Sequence, residues 1–148
     1  RLLPLVQAIL KKNDIDANEE ALVEIIPMVK ERCQLINDFV AQVAYFFNDP
    51  LEIDLASVQP KWDDRKQVFF EGWTTTLNQI ETWDAVAIEN TFKEAAALAQ
   101  IKPGELQLPL RIMLVGAKFG PTVFDIAFRI GKEATTRRIG HCLTLLAQ

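Results

Sequence analysis

The chain has 148 residues, of which 49% are hydrophobic, enough to close one sizeable core or two small helical ones without disulfide or metal staples. Two cysteines far apart in sequence, Cys33 and Cys142, and a single histidine, His141, exclude a cysteine framework and a His-rich metal site, and no apolar run approaches the roughly 18 residues that a membrane span needs. The formal charge of −4 speaks against nucleic acid, but residues 1–100 hold 9 Lys/Arg against 17 Asp/Glu while residues 101–148 hold 7 against 3, so the C-terminal third is basic and can attract phosphates over the about 8–10 Å that screening allows. The thiols fit a reduced, cytoplasmic compartment, and Arg1-Leu2-Leu3-Pro4 is too short and abrupt for a signal peptide. A start on arginine leads us to expect more sequence upstream.

Periodicity predicts helix almost throughout. Leu22, Ile25, Ile26 and Val29 repeat at helical spacing behind Asn18, an N-cap followed by Glu19 and Glu20 in the favoured first turn. Pro27 is expected to kink or restart that helix. Leu35, Ile36, Phe39, Val40, Val43, Ala44 and Phe47 carry the pattern on until Asn48-Asp49-Pro50 stops it, and residues 51–60 read as a linker. Asp63 or Asp64 caps a helix that turns Val68, Phe69, Trp73, Leu77 and Ile80 inward. Thr82 or Asp84 caps the next, which runs to about Gln100 and opens a second subdomain. Pro103-Gly104 breaks the chain, Pro109 seats a helix at its first turn, and Gly116 ends it. Gly120-Pro121 opens a helix that Gly131 ends, and the last runs from Lys132 to about Leu146. The expected fold is all-α, in two consecutive helical subdomains, 1–81 and 82–148.

Catalysis finds little support in this pattern. Glu19-Glu20 and Asp63-Asp64 are helix-start signals, and there is no nucleophile elbow, phosphate-cradling glycine loop or metal-spaced cluster. Two arginines stand out by position. Arg32 falls on the stripe of Ile25, Val29 and Ile36, where it is either a half-buried structural arginine or a fork of donors held over a concave surface. Arg111 is the one charge between Glu105 and Lys118, an anchor or a ligand contact. The segment Gly116 to Phe124 offers close backbone approach, a helix start with free amide donors, and Phe119 and Phe124 as stacking faces for single-stranded RNA; its bland alternative is a tight turn with Phe124 in the core.

These residues resemble a known family. Leu108-Pro109-Leu110-Arg111, then Gly116-Ala117-Lys118-Phe119-Gly120-Pro121, then Phe124-Asp125-Ile126, then Ile130-Gly131-Lys132-Glu133 with Arg137-Arg138, are similar to the C-terminal end of bacterial-type glutamyl-tRNA synthetases. Trp83, and Val29-Lys30-Glu31-Arg32 followed by Leu35 and Phe39, extend the likeness. It implies an anticodon-binding helical cage or bundle that reads tRNA(Glu), without catalytic residues or a metal of its own, behind a catalytic domain that attaches glutamate using ATP and Mg2+. It also implies a cytoplasmic monomer with no DNA or membrane partner. Arg32 matches the arginine that reads the third anticodon base and separates glutamate from glutamine tRNAs. Arg111, Gly120, Pro121, Thr122, Val123 and Phe124 match the surface that reads the first two bases. Phe119 departs from the pattern, since relatives often carry a small or polar residue there. The anticodon region of a class I lysyl-tRNA synthetase and a helical protein-interaction scaffold are the rival readings.

Overall fold

The computed structural model describes residues 2–33 and 38–148, which form eight α-helices joined by turns and three 3-10 segments, with no strand among the described residues. Helix α1 (Leu2–Lys12) was not expected from the sequence; Val6 and Leu10, four apart, are its buried contacts, and Lys11 and Lys12 sit favourably at its C-terminal end. Helix α2 (Glu19–Val29) starts as expected, with the Asn18 side chain accepting from the Ala21 amide at 2.8 Å. It is not restarted at Pro27 but runs on to Val29 and tightens into a 3-10 turn, Lys30–Arg32. Helix α3 (Asp38–Phe47) follows, while Leu35 and Ile36 lie outside the described residues. Helices α1, α2 and α3 pack on one another.

The supposed linker at 51–60 is a packed connection. It folds into two 3-10 turns, Leu55–Ser57 and Gln59–Lys61, buries Val58, and donates the Asp54 amide to the Gly116 carbonyl at 2.9 Å. Gly116 ends the distant sixth helix at φ +86°, and a Cβ there would press on the Glu52 carbonyl and come within 2.8 Å of Pro50 Cβ. Only glycine allows the two segments to meet.

Helix α4 (Asp64–Asn78) is capped by Asp63, which accepts from the Lys66 amide at 2.9 Å. Its buried stripe is Phe69, Phe70, Trp73 and Leu77, whereas Val68, expected inside, is 65% exposed; each helical residue turns about 100°, so the stripe that includes Phe70 leaves Val68 on the far side. Ile80 lies beyond the helix end, half-buried. Helix α5 (Ala85–Ala99) is capped by Asp84 and ends on Gln100 in the left-handed conformation. Helix α6 (Pro103–Val115) corrects the expectation for proline: Pro103 takes the first turn, where its missing N–H costs nothing, and Pro109 sits inside the helix, its ring buried beside Leu106, Leu110 and Met113. Helices α7 (Val123–Ile130) and α8 (Lys132–Leu146) meet at Gly131.

The core is rich in aromatic contacts. Phe92 of α5 packs edge-on to Phe69 and Trp73 of α4 and to Phe124 of α7, at ring-centroid distances of 5.7, 5.1 and 5.2 Å. Helix α4 lies against both α5 and α8, α6 against α7 and α8, and α3 touches α7. The division expected at 81/82 falls between α4 and α5, which pack side by side.

Asp49, just after α3, ties that segment to α8. Its carboxylate accepts two bonds from Arg137, at 2.7 and 2.8 Å, and one from Arg138 at 2.9 Å. Hydrogen bonds from Arg137 first, then from Arg138, outweigh burial and hold its pKa down at about 2 against an ordinary 3.8. A depressed carboxylate contributes stability fully above its unfolded pKa and loses it as pH falls through the folded one. The difference in thermal stability between wild type and Asp49→Asn is therefore expected to be constant above about pH 5 and to shrink between about pH 4 and 2. Melting curves across that range check it, and a difference that stays flat to pH 2 would exclude this pairing as its source.

Candidate functional site

Two elements meet at the hydroxyl of Tyr45 on α3, helix α6 and the turn that enters α7, and the 3-10 turn after α2 packs on the same helix α3. The α6 guanidinium is built into the turn that enters α7. Arg111 Nη1 donates to the carbonyl of Phe119 at 3.2 Å and to that of Pro121 at 2.8 Å. Gly120 lies between these acceptors at φ +120°, and a Cβ placed on it would stand 2.9 Å from Tyr45 Oη, 3.3 Å from Arg111 Nη1 and 3.4 Å from Ile126 Cδ1. The turn is therefore seated directly on Tyr45 and Arg111.

Arg32 is exposed, off the buried stripe where its spacing put it. The reason is local: the backbone turns about 120° per residue in a 3-10 segment instead of 100°, which rotates Arg32 away from the line of Ile25 and Val29. Its Nη1 donates to the Met28 carbonyl at 3.2 Å, which anchors the stem and leaves most of the fork outward. Burial pushes the Tyr45 phenol up, with Arg111 and then Arg32 pulling the other way, and burial lowers Arg111, with Tyr45 opposing that and Arg32 adding to it. The two guanidiniums thus share one electrostatic neighbourhood.

The helix start combines side-chain and backbone polar groups, with Asp125 exposed in its first turn. Thr122 caps α7, its hydroxyl accepting from the Asp125 amide at 3.3 Å and its carbonyl from the Ile126 amide at 3.1 Å. The amides of Val123 and Phe124 have no partner among the described residues. Both of their side chains are buried, so the expected stacking face of Phe124 is absent; its ring packs on Phe92. Phe128, four residues on, is 43% exposed. Phe119 is half-buried, its ring tilted over Tyr45 at 6.1 Å, and fills the space beside that residue.

Tyr45 was missed by the sequence reading. It is 3% exposed, and its hydroxyl has no hydrogen-bond partner among the described residues. The other buried side-chain atom in that condition, Gln42 Oε1, lies one turn earlier on the same helix. The available signal was compositional: this is the chain's one tyrosine, set in the apolar run Val43-Ala44-Tyr45-Phe46-Phe47.

The basic third is less open than its composition suggests. Arg129 pairs with Glu24 at 2.6 Å, and Arg137 with Asp49 and Glu133. Arg138 is buried among Asp49 and the carbonyls of Leu114 and Asn48, and Lys132 donates to the carbonyls of Asn78 and Ile80 with its ammonium 5.9 Å from the Trp83 ring. Lys118 and Lys102 stand exposed, with Arg111 half-open between. Among the described residues no group of three or more His, Cys, Asp or Glu is arranged to hold a metal ion, and no helix is long and apolar enough to cross a membrane.

Comparison with known proteins gives the family of the chain. Residues 1–143 match the family described as the anticodon binding domain. The chain is 33% identical to a glutamate–tRNA ligase of Christiangramia forsetii, over 93% of this chain and 27% of that protein. It is 34% identical to one of Neisseria meningitidis, over 94% and 30%. The chain thus spans under a third of the length of these curated relatives. A crystal structure of a glutamate tRNA ligase from Elizabethkingia meningosepticum superposes with a TM-score of 0.87 and 28% identity, covering 98% of this chain and 29% of that one. One of a glutamate-tRNA synthetase from Elizabethkingia anophelis gives 0.81 and 26%, covering 97% and 28%.

Proposed function

The chain belongs to the anticodon binding domain family, and we propose that it reads the anticodon loop of tRNA(Glu) on behalf of a cytoplasmic glutamate–tRNA ligase. The observation that carries this reading is the seating of Arg111 and the Gly120–Thr122 turn on Tyr45 of α3, with Arg32 exposed on the 3-10 turn that packs on the same helix. Unstacked anticodon bases meet three kinds of donor there. Arg32 offers an outward fork suited to an acceptor-rich base edge, and the family resemblance supports giving it the third base. Arg111 and the open amides of Val123 and Phe124 serve the first two, with Gly120, Pro121 and Thr122 shaping the backbone that presents them. Since the side chains of Val123 and Phe124 are buried, this part of the site reads through backbone hydrogen bonds.

Discrimination follows from unpaired donors, because a wrong base leaves a desolvated guanidinium unsatisfied at a cost of about 1–3 kcal/mol. With most of the C-terminal cations engaged inside the protein, few remain for phosphates, so binding has a shallow salt dependence and rests on directed contacts. ATP and Mg2+ are assigned to the part of such a ligase outside the matched span, and no step in this chain runs through them.

Arg32→Gln is expected to reduce the preference for the glutamate over the glutamine anticodon by about tenfold. Melting temperature should hold, since Arg32 is exposed and its one hydrogen bond among the described residues goes to the nearby Met28 carbonyl. Filter binding of two stem-loop RNAs that differ in the third anticodon base measures this. Equal preference in variant and wild type would remove Arg32 from the reading.

A further inference from the structure

We propose that Phe119 is a stacking platform for an unpaired nucleotide of the bound RNA loop, a contact that adds affinity without choosing between bases. The inference deepens the reading above and rests on it for the class of ligand.

Phe119 is the one aromatic residue in the turn between α6 and α7, Gly116 to Thr122. That turn is held at both ends. On its entry side the Gly116 carbonyl accepts from the Asp54 amide at 2.9 Å; on its exit side Arg111 donates to the Phe119 carbonyl at 3.2 Å and to that of Pro121 at 2.8 Å. From this fixed backbone the ring packs on Tyr45, a residue only 3% exposed, with centroids 6.1 Å apart and planes at 58°. It is the one ring contact of Phe119 among the described residues. A single tilted neighbour covers at most one face of a ring, and Phe119 keeps part of its surface in solvent. The neighbouring rings offer no such surface, since Phe124 is buried on Phe92 and Tyr45 is buried against Gly120.

The surroundings of the open part select its occupant. Lys118 is exposed, Arg111 is half-open, and the amides of Val123 and Phe124 have no partner among the described residues. Cations and free amide donors beside an open ring favour a flat ligand with acceptors on its edge and a phosphate next to it. An unpaired nucleotide supplies all three, and an apolar peptide side chain does not. Because the ring is already anchored, a base that stacks on it has little further ordering to impose.

Every base presents a π-face, so the contact is indifferent to sequence. Phe119→Leu keeps an apolar side chain against Tyr45 but loses the ring face. It is expected to weaken binding of the glutamate-anticodon and glutamine-anticodon stem-loops by the same factor, roughly tenfold, with the preference between them unchanged. This is the opposite of the signature expected for Arg32→Gln. Phe119→Tyr, which keeps the ring, should bind as wild type.

Filter binding of these two RNAs, and of a third stem-loop with an unrelated loop sequence, is the test. Equal binding by wild type and Phe119→Leu overturns the platform, and so does a loss confined to one anticodon. If all three loops bind wild type alike and Phe119→Leu weakens each, the platform stands and the anticodon reading falls; if none binds, both fall. A second measurement needs no variant to fold. With a fluorescent adenine analogue placed at one loop position after another, saturating wild-type protein should quench at least one position, as stacking on an aromatic ring does. No quenching at any position overturns the proposal.

Discussion

Arg138→Met is expected to lower stability by about 2–4 kcal/mol, a fall in melting temperature of roughly 5–15 °C, while Arg137→Met next to it changes stability by about 1 kcal/mol or less. Both arginines bond Asp49, so the contrast turns on burial. The Arg138 side chain is 3% exposed and spans three acceptors: Asp49 Oδ1 at 2.9 Å, the Leu114 carbonyl at 2.7 Å and the Asn48 carbonyl at 3.2 Å. Methionine fills the space but supplies no donor, so carbonyls at the ends of α6 and α3 lose their partner where water does not replace it. Arg137, with its bidentate grip on Asp49, is 45% exposed, and water substitutes for each bond it gives up. Burial also depresses the Arg138 pKa, whereas the hydrogen bond that Arg137 donates to Asp49 raises its own: one cation is held by the fold, the other by its partner. Chemical denaturation of the two single variants at neutral pH is the measurement. Equal losses would mean that the network acts through Asp49 alone.

That network shows where the sequence could be read and where it could not. The helix starts at Asn18, Asp63, Asp84 and Thr122 were legible because an N-cap is a local event, decided by one side chain and an amide three residues on. Proline positions were legible only in part: Pro103 and Pro109 both suit a first turn, and the burial that admits Pro109 inside α6 is a tertiary fact. Val68 was misplaced because Val68 and Phe70 fit rival stripes, and packing against α5 and α8 chose between them. The excess charge of the C-terminal third was counted correctly but misread as open surface, since nothing local says that Arg129 reaches Glu24 or that Arg137 and Arg138 reach Asp49. At the site, the family resemblance picked out Arg32, Arg111 and the turn. Tyr45 stayed hidden because its meaning depends on two segments, far along the chain, closing over its hydroxyl.

Gly120→Ala is the substitution expected to disturb both fold and reading, and Gly131→Ala separates the two effects. Each glycine holds a φ that side chains resist, +120° at Gly120 and +92° at Gly131, so each alanine variant carries a backbone cost of about 1–3 kcal/mol. Only at Gly120 does the new methyl also meet atoms: Tyr45 Oη at 2.9 Å and Arg111 Nη1 at 3.3 Å, against nothing within 4 Å at Gly131. The phenol is locked in the core and cannot yield, so the turn itself must shift, which breaks the bonds from Arg111 to the Phe119 and Pro121 carbonyls. Gly120→Ala is therefore expected to be the less stable by a further 1 kcal/mol or about that, and to weaken binding of the anticodon stem-loop by roughly tenfold or more, while Gly131→Ala binds as wild type. Adding Tyr45→Phe removes the oxygen that the methyl strikes. The double variant should then recover the contact part of the loss but not the backbone part, coming level with Gly131→Ala in denaturation. No recovery would mean that the left-handed backbone alone demands glycine at 120, and equal RNA binding by the two alanine variants would take the turn out of the reading surface.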